Sequence, residues 1–140
     1  MTPWTALLES FHSALIDELV ERHPEPKPEL GMPIRQRVFA LPAEGLADLV
    51  ACEAAFSEAK GCLFLALDSG CAGALNMTAR GLWDSLLKRA GGELHRREVK
   101  PSLGMPLVLK GELPKGLEPA RVVWIPFRLK TGTCYLGLAV

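Results

Sequence analysis

Asn76, Arg80 and Asp84 stand four residues apart in a stretch whose apolar residues recur at a helical period. Leu75, Ala79, Leu82, Trp83 and Leu86 form the expected buried stripe. With about 100° between successive residues, Asn76 falls about 80° from the centre of that stripe, at its boundary. Arg80 and Asp84 follow on the solvent side, so the spacing predicts one polar strip along an exposed flank. A carboxamide offers a donor and an acceptor together without carrying charge, and the Arg–Asp pair beside it sets both signs of charge before a partner. A plainer reading stands next to this one. An Asn in the first turns of a helix ordinarily bonds to nearby backbone, and an Arg–Asp pair at i, i+4 is ordinarily a solvated surface pair.

Other reactive side chains are less well placed. Glu9 and His12 share a helix face but have no third ligand or nucleophile near them in sequence, which reads as an exposed polar pair. Ser69 in Asp68-Ser69-Gly70 lacks the Gly-x-Ser-x-Gly pattern of a nucleophile elbow and suits helix capping instead. Cys52, Cys62, Cys71 and Cys134 form no Cys-x-x-Cys pair, and His12, His23 and His95 are scattered, so buried structural thiols are expected and no metal site. Lys88, Arg89, His95, Arg96, Arg97 and Lys100 cluster where a helix should end. Cations are favoured there by the helix dipole, and contact with an acidic partner is the second reading.

Sixteen basic residues balance sixteen acidic ones, so no global field exists to hold nucleic acid or an anionic membrane. No apolar run approaches the roughly 18 residues of a membrane span, and Met1-Thr2-Pro3-Trp4 carries no basic segment of a secretory signal. A cytoplasmic protein without nucleic-acid binding or membrane insertion is expected. The 140 residues suit a single domain that buries about 70% of its unfolded surface without staples.

The elements that must position the strip follow from periodicity. Leu7, Leu8, Phe11, Leu15 and Leu19, with Ile16 at the margin of their stripe, predict an amphipathic first helix that stops near His23, before Pro24, Pro26 and Pro28. Asp68 or Ser69 is expected to cap a second helix, and Gly91-Gly92 to end it. The segment from Leu46 to Phe56 fits a helix taken alone. Its partner in sequence, the β-branched and aromatic run from Ala120 to Phe127, contains Pro126 and reads as a strand, so both are assigned as strands. Cys62 to Leu67 and Cys134 to Val140 are further strands, joined by turns at Lys60-Gly61 and Thr131-Gly132.

That partnership rests on three echoes. Leu30-Gly31-Met32-Pro33 recurs as Leu103-Gly104-Met105-Pro106, Leu41-Pro42 as Leu113-Pro114, and Gly61-Cys62-Leu63-Phe64-Leu65 as Gly132-Thr133-Cys134-Tyr135-Leu136, all at offsets of 71 to 73. Two copies at half the chain length mean a pseudo-symmetric domain rather than a solenoid. The expected fold is α+β: one domain over 1–140, with duplicated α-β-β-β units at approximately 4–67 and 75–140 about a pseudo-twofold, forming one sheet with two long helices.

These features resemble the CheC, CheX and FliY chemotaxis phosphatases, and the CheX-like branch above all. The likeness runs over most of the chain and includes the opening helix, the Gly61 strand and Gly104-Met105-Pro106-Leu107-Val108-Leu109-Lys110-Gly111. The family's catalytic helix carries Glu-x-x-Asn followed by small residues. Asn76-Met77-Thr78-Ala79 matches the second part, whereas Gly73 stands where the glutamate is expected and Arg80 where glycine is usual.

The resemblance implies a protein of chemotaxis and two-component signalling that acts on the aspartyl phosphate of a CheY-like response regulator. Asn76 would orient the attacking water as the catalytic residue, and Gly73, Arg80 and Asp84 would lie against the partner. It implies no cofactor of the chain's own, Mg2+ being expected only in the receiver domain. A charge-assisted contact is about twice as strong as a neutral one, so replacing the glutamate by Gly73 should weaken docking. The alternative is a non-catalytic interaction module. An apolar last strand ending at Val140 with few charges beside it further suggests a homodimer formed through a sheet edge.

Overall fold

The computed structural model describes residues 2–22, 28–57, 59–109 and 121–140. Pro24, Pro26 and the Leu113-Pro114 echo lie outside them.

Helix α1, Pro3–Arg22, opens with proline at its first position, where a missing amide costs nothing. Leu7, Phe11, Leu15 and Leu19 are completely buried along one face, as the spacing predicts. Ser10 is buried on that face too, its hydroxyl donating to the Ala6 carbonyl at 2.8 Å.

Among the described residues, eight strands form one sheet: β1 (Glu29–Leu30), β2 (Ile34–Gln36), β3 (Leu46–Phe56), β4 (Ala59–Asp68), β5 (Ser102–Leu103), β6 (Leu107–Val108), β7 (Val122–Arg128) and β8 (Thr133–Ala139). Their order is β1-β7-β8-β4-β3-β5, with β2 also paired to β7 and β6 to β3, all antiparallel. The two long hairpins, β3–β4 and β7–β8, meet at the centre along β4 and β8. Each hairpin receives its outer neighbours from the other half of the chain. The α+β architecture expected from the sequence, helices with one antiparallel sheet, is the one observed.

The segment from Leu46 to Phe56 is a strand throughout. Val50, Cys52 and Ala54 turn toward the helices, as do Leu63, Leu65 and Leu67 of β4 and Phe127 of β7. Leu49, Ala51, Phe64 and Trp124 point the other way, into a second cluster covered by Phe39, whose ring lies 5.1 Å from Phe64 and 6.0 Å from Trp124. Burial on both faces explains why Cys62 to Leu67 reads as an unbroken apolar run. Each large side chain so buried contributes about 1.5–3 kcal/mol.

Three local expectations need correction. The second helix is two helices, α2 (Ser69–Leu75) and α3 (Ala79–Arg96). Gly91-Gly92 does not end it: Ala90 and Leu94 extend the buried stripe past both glycines, and that burial outweighs their low helix propensity. Lys60-Gly61 is not a turn but part of β4. A Cβ on Gly61 would lie 2.6 Å from the Ala139 carbonyl oxygen and 2.9 Å from the Trp4 ring, so the glycine serves close approach, while the turn falls at Ser57 with φ of 49°. The other hairpin does turn at Thr131-Gly132, closed by a Leu129 amide to Gly132 carbonyl bond of 2.8 Å.

The last strand is not an edge. β8 lies between β7 and β4, so the expected unpaired strand near Val140 does not exist, and the outer positions belong to the short pieces β1, β2, β5 and β6.

Candidate functional site

Three residues between two helices, Asn76, Met77 and Thr78, carry the site. Asp68 caps α2: its Oδ1 accepts from the Cys71 amide at 2.8 Å, and its Oδ2 from the Thr133 amide at 2.9 Å, tying the helix start to β8. Eight residues after Asp68 the chain turns over at Asn76, in the left-handed conformation with φ of 52° and ψ of 47°. The Met77 amide donates to the Ala72 carbonyl at 3.3 Å and the Asn76 amide to the Gly73 carbonyl at 3.2 Å. This is a Schellman cap, in which Asn takes the position usually given to glycine. Its apolar contact is supplied by Ala72 and Met77, both packed against the core.

Thr78 then starts α3. Its Oγ1 accepts from the Gly81 amide at 3.1 Å, and the Ala79 amide donates across to Asp48 Oδ2 of β3 at 3.3 Å. The break is therefore fastened on both sides, and its backbone polar groups are largely accounted for.

The strip predicted on one continuous helix is corrected accordingly. Arg80 and Asp84 do pair on α3, Nε to Oδ1 at 3.4 Å, with both side chains about half exposed. Asn76 is not on their helix. It sits before the Thr78 cap, exposed, and its carboxamide makes no hydrogen bond among the described residues. Gly73 lies in the last turn of α2 with open space where a Cβ would be. Arg80 also reaches the Pro106 carbonyl through Nη1 at 3.4 Å, which brings α3 beside the exposed side chains of Met105, Leu107 and Val108. An exposed carboxamide, an ion pair and an apolar fringe thus occupy one side of the molecule. Asp48 was not singled out from sequence, since an aspartate at a strand start carries no distinctive spacing, and Met105 was read only as part of the repeated Leu-Gly-Met-Pro stretch and the resemblance, not as a site residue.

The remaining candidates are structural. Glu9 Oε2 accepts from Arg97 Nη1 at 2.8 Å, and the His12 ring lies 5.2 Å from Phe127, so they do not form the free polar pair expected. Burial lowers the His12 pKa, against the opposing charge of Glu9. The basic cluster is largely neutralised: Arg89 binds Glu18 and Glu21, Arg96 binds Glu93, and Arg97 binds Glu9 and Glu93. Ser69 is the first residue of α2, and Asp68 is the cap.

Burial pushes the Cys52 thiol to about 11 and that of Cys62 to about 12, and raises Cys134 as well, so these sulfurs stay protonated and inert at neutral pH. All four cysteines are buried and unpaired. Among the described residues no cluster of three or more His, Cys, Asp or Glu could hold a metal ion, and no helix is long and apolar enough to cross a membrane.

No protein-family model matches the chain, and no curated protein does. Solved structures do. A CheC-like superfamily protein from Shewanella sp. PV-4 superposes with a TM-score of 0.72 at 14% identity, over 99% of this chain and 98% of that one. The chemotaxis protein CheX from Vibrio vulnificus gives 0.67 at 12% identity, over 95% and 97%. A chain of the CheX–CheY–BeF3–Mg2+ complex from Borrelia burgdorferi gives 0.60 at 17% identity, over 94% and 95%. The fold is that of the CheC-like and CheX proteins.

Proposed function

We propose that the chain is a CheX-like protein of chemotaxis or two-component signalling that docks on the phosphorylated receiver domain of a CheY-like response regulator. The observation that carries this reading is the Asn76 carboxamide, held at a rigid corner, exposed and uncommitted to any described partner. A group so placed can hold a water by donor and acceptor at once and align it for in-line attack on an aspartyl phosphate, a step that needs positioning more than covalent chemistry. Arg80, Asp84 and the apolar side chains of Met105, Leu107 and Val108 supply a docking surface of mixed character. The reaction draws on no cofactor of this chain, and Mg2+ belongs to the receiver. Both partners are read as cytoplasmic.

A second reading is favoured by one residue. Gly73 brings no carboxylate to the flank of Asn76, which suits a module that binds a receiver without hydrolysing its phosphate. Decay of a phosphorylated receiver domain, with and without the protein, separates the two: acceleration supports the phosphatase, and co-sedimentation without acceleration supports the module. We propose in addition that the duplicated units 4–67 and 75–140 descend from one ancestral unit. A homodimer pairing through the short outer strands is read alongside this, and a 15 kDa species alone in micromolar sedimentation would oppose it.

A further inference from the structure

Of the nine arginines, five are engaged by carboxylates: Arg22, Arg80, Arg89, Arg96 and Arg97. Arg35, Arg37 and Arg121 are exposed, without an acidic partner among the described residues, and they line the same groove of about 760 Å³. Gln36, Val122, Val123, Leu138 and Val140 complete its walls, and no carboxylate side chain is among them.

The strand register explains the gathering. Arg35 pairs with Val123 and Val123 with Leu138, so the three share one face of the sheet, the face that Leu138 presents to the helices. Arg121, whose backbone exchanges hydrogen bonds of 3.3 and 3.0 Å with Val140, continues β7 two residues before Val123 and so shares that face, and Arg37 follows the end of β2 into the same groove. Val122 opens β7, whereas Arg128 closes it opposite Thr133, the residue bound to Asp68 at the start of α2. The groove therefore lies at the end of the sheet remote from α2.

Three like charges lining one exposed groove raise the local concentration of anions there. Guanidinium groups present forked donors that fit phosphate oxygens two at a time. A diphosphate, with about three negative charges at neutral pH, can be engaged by several guanidinium forks at once, and the volume of about 760 Å³ falls within the range of small-molecule sites. The aliphatic floor of Val123, Leu138 and Val140 has room for an organic body. We propose that this groove binds a small polyphosphate-bearing ligand, separately from the surface around Asn76.

Calorimetric titration of the full chain with ADP, inorganic pyrophosphate and adenosine tests it. Binding of ADP and pyrophosphate but not adenosine is expected, weakening steeply with added salt. Tighter binding of ADP assigns a nucleotide, and equal binding the inorganic ion. Arg35→Glu and Arg121→Glu should each weaken binding by about tenfold or more, while Arg121→Lys, which keeps the charge and loses the fork, should fall between. Circular dichroism of each variant checks the fold. Absence of heat with both phosphates, binding unchanged by these substitutions, or capture of an acidic peptide in place of either phosphate would overturn the proposal.

Discussion

The amide of Met77 reaches back past Asn76 to the carbonyl of Ala72, 3.3 Å away, and this bond closes the corner from which the Asn76 side chain projects. The backbone requirement and the chemistry at position 76 are consequently separable. Glycine satisfies the left-handed conformation without a carboxamide, whereas alanine lacks the carboxamide and strains the turn.

Asn76→Gly should leave stability nearly unchanged, and Asn76→Ala should lower it by about 1 kcal/mol, as read from urea midpoints. Both should abolish any acceleration of receiver dephosphorylation. If Asn76→Gly retains full activity, the carboxamide has no part in the reaction.

Gly73→Glu tests the missing carboxylate. Open space surrounds the site, so the side chain fits. The helix gains up to about 1 kcal/mol of propensity and returns about 0.3–1 kcal/mol because a negative charge sits near the helix C-terminus. Stability should barely move, while receiver dephosphorylation should rise. An unchanged phosphoryl lifetime across several receivers would favour the binding module.

Acid should weaken the fold in two windows. Burial lowers the His12 pKa below 6.5, so the unfolded chain takes up that proton first, and stability falls as pH drops from about 6.5 through the lowered value. For Glu18, burial acts to raise the pKa, but hydrogen bonds from Arg89 and Arg22 hold it below its ordinary 4.5. Its contribution is fully present above 4.5 and is lost as pH falls through the lowered value. Glu18→Gln should therefore cost about 1–2 kcal/mol at pH 7 and little at pH 3. Thermal melts across this range check the sign, and an equal cost at both pH values would refute the assignment.

Close approach sets a further contrast. Gly137 pairs with Trp124, and a Cβ there would stand 2.6 Å from the indole. Gly137→Ala should cost about 1–3 kcal/mol through overpacking. Gly104→Ala meets only Glu53, at 3.5 Å from its Cβ and 3.7 Å from its carbonyl oxygen, and should stay within about 0.5 kcal/mol. Denaturant midpoints of the two variants make the comparison.

Legibility in the sequence followed the physics that encodes each feature. The apolar run of β4 and the proline in β7 mark strands because burial and a missing donor act on the residues themselves. The break at Asn76 was hidden, since Leu75 and Ala79 bury on a shared stripe whether the helix is continuous or bent, and Asn rather than glycine fills the left-handed position. Gly61 misled in the opposite sense: a glycine demanded by the neighbouring Ala139 backbone and Trp4 looks, in one dimension, like a turn. The candidate site was legible by residue type at Asn76, Arg80 and Asp84. It was not legible by arrangement, because Asp48 of β3 and Pro106, between β5 and β6, reach it from distant points in the sequence.

The crossing of outer strands between the halves bears on how the chain reaches its native state. Since β1 and β2 complete the hairpin of residues 122–139, and β5 and β6 that of residues 46–68, neither half holds a finished sheet by itself. The pairing joins residues separated by up to about a hundred positions, a topology that closes late and folds slowly. Expressed separately, fragments cut after residue 68 should remain unstructured and regain the native spectrum only when mixed. The two halves are thus one cooperative unit, and neither could be shed without unravelling the other.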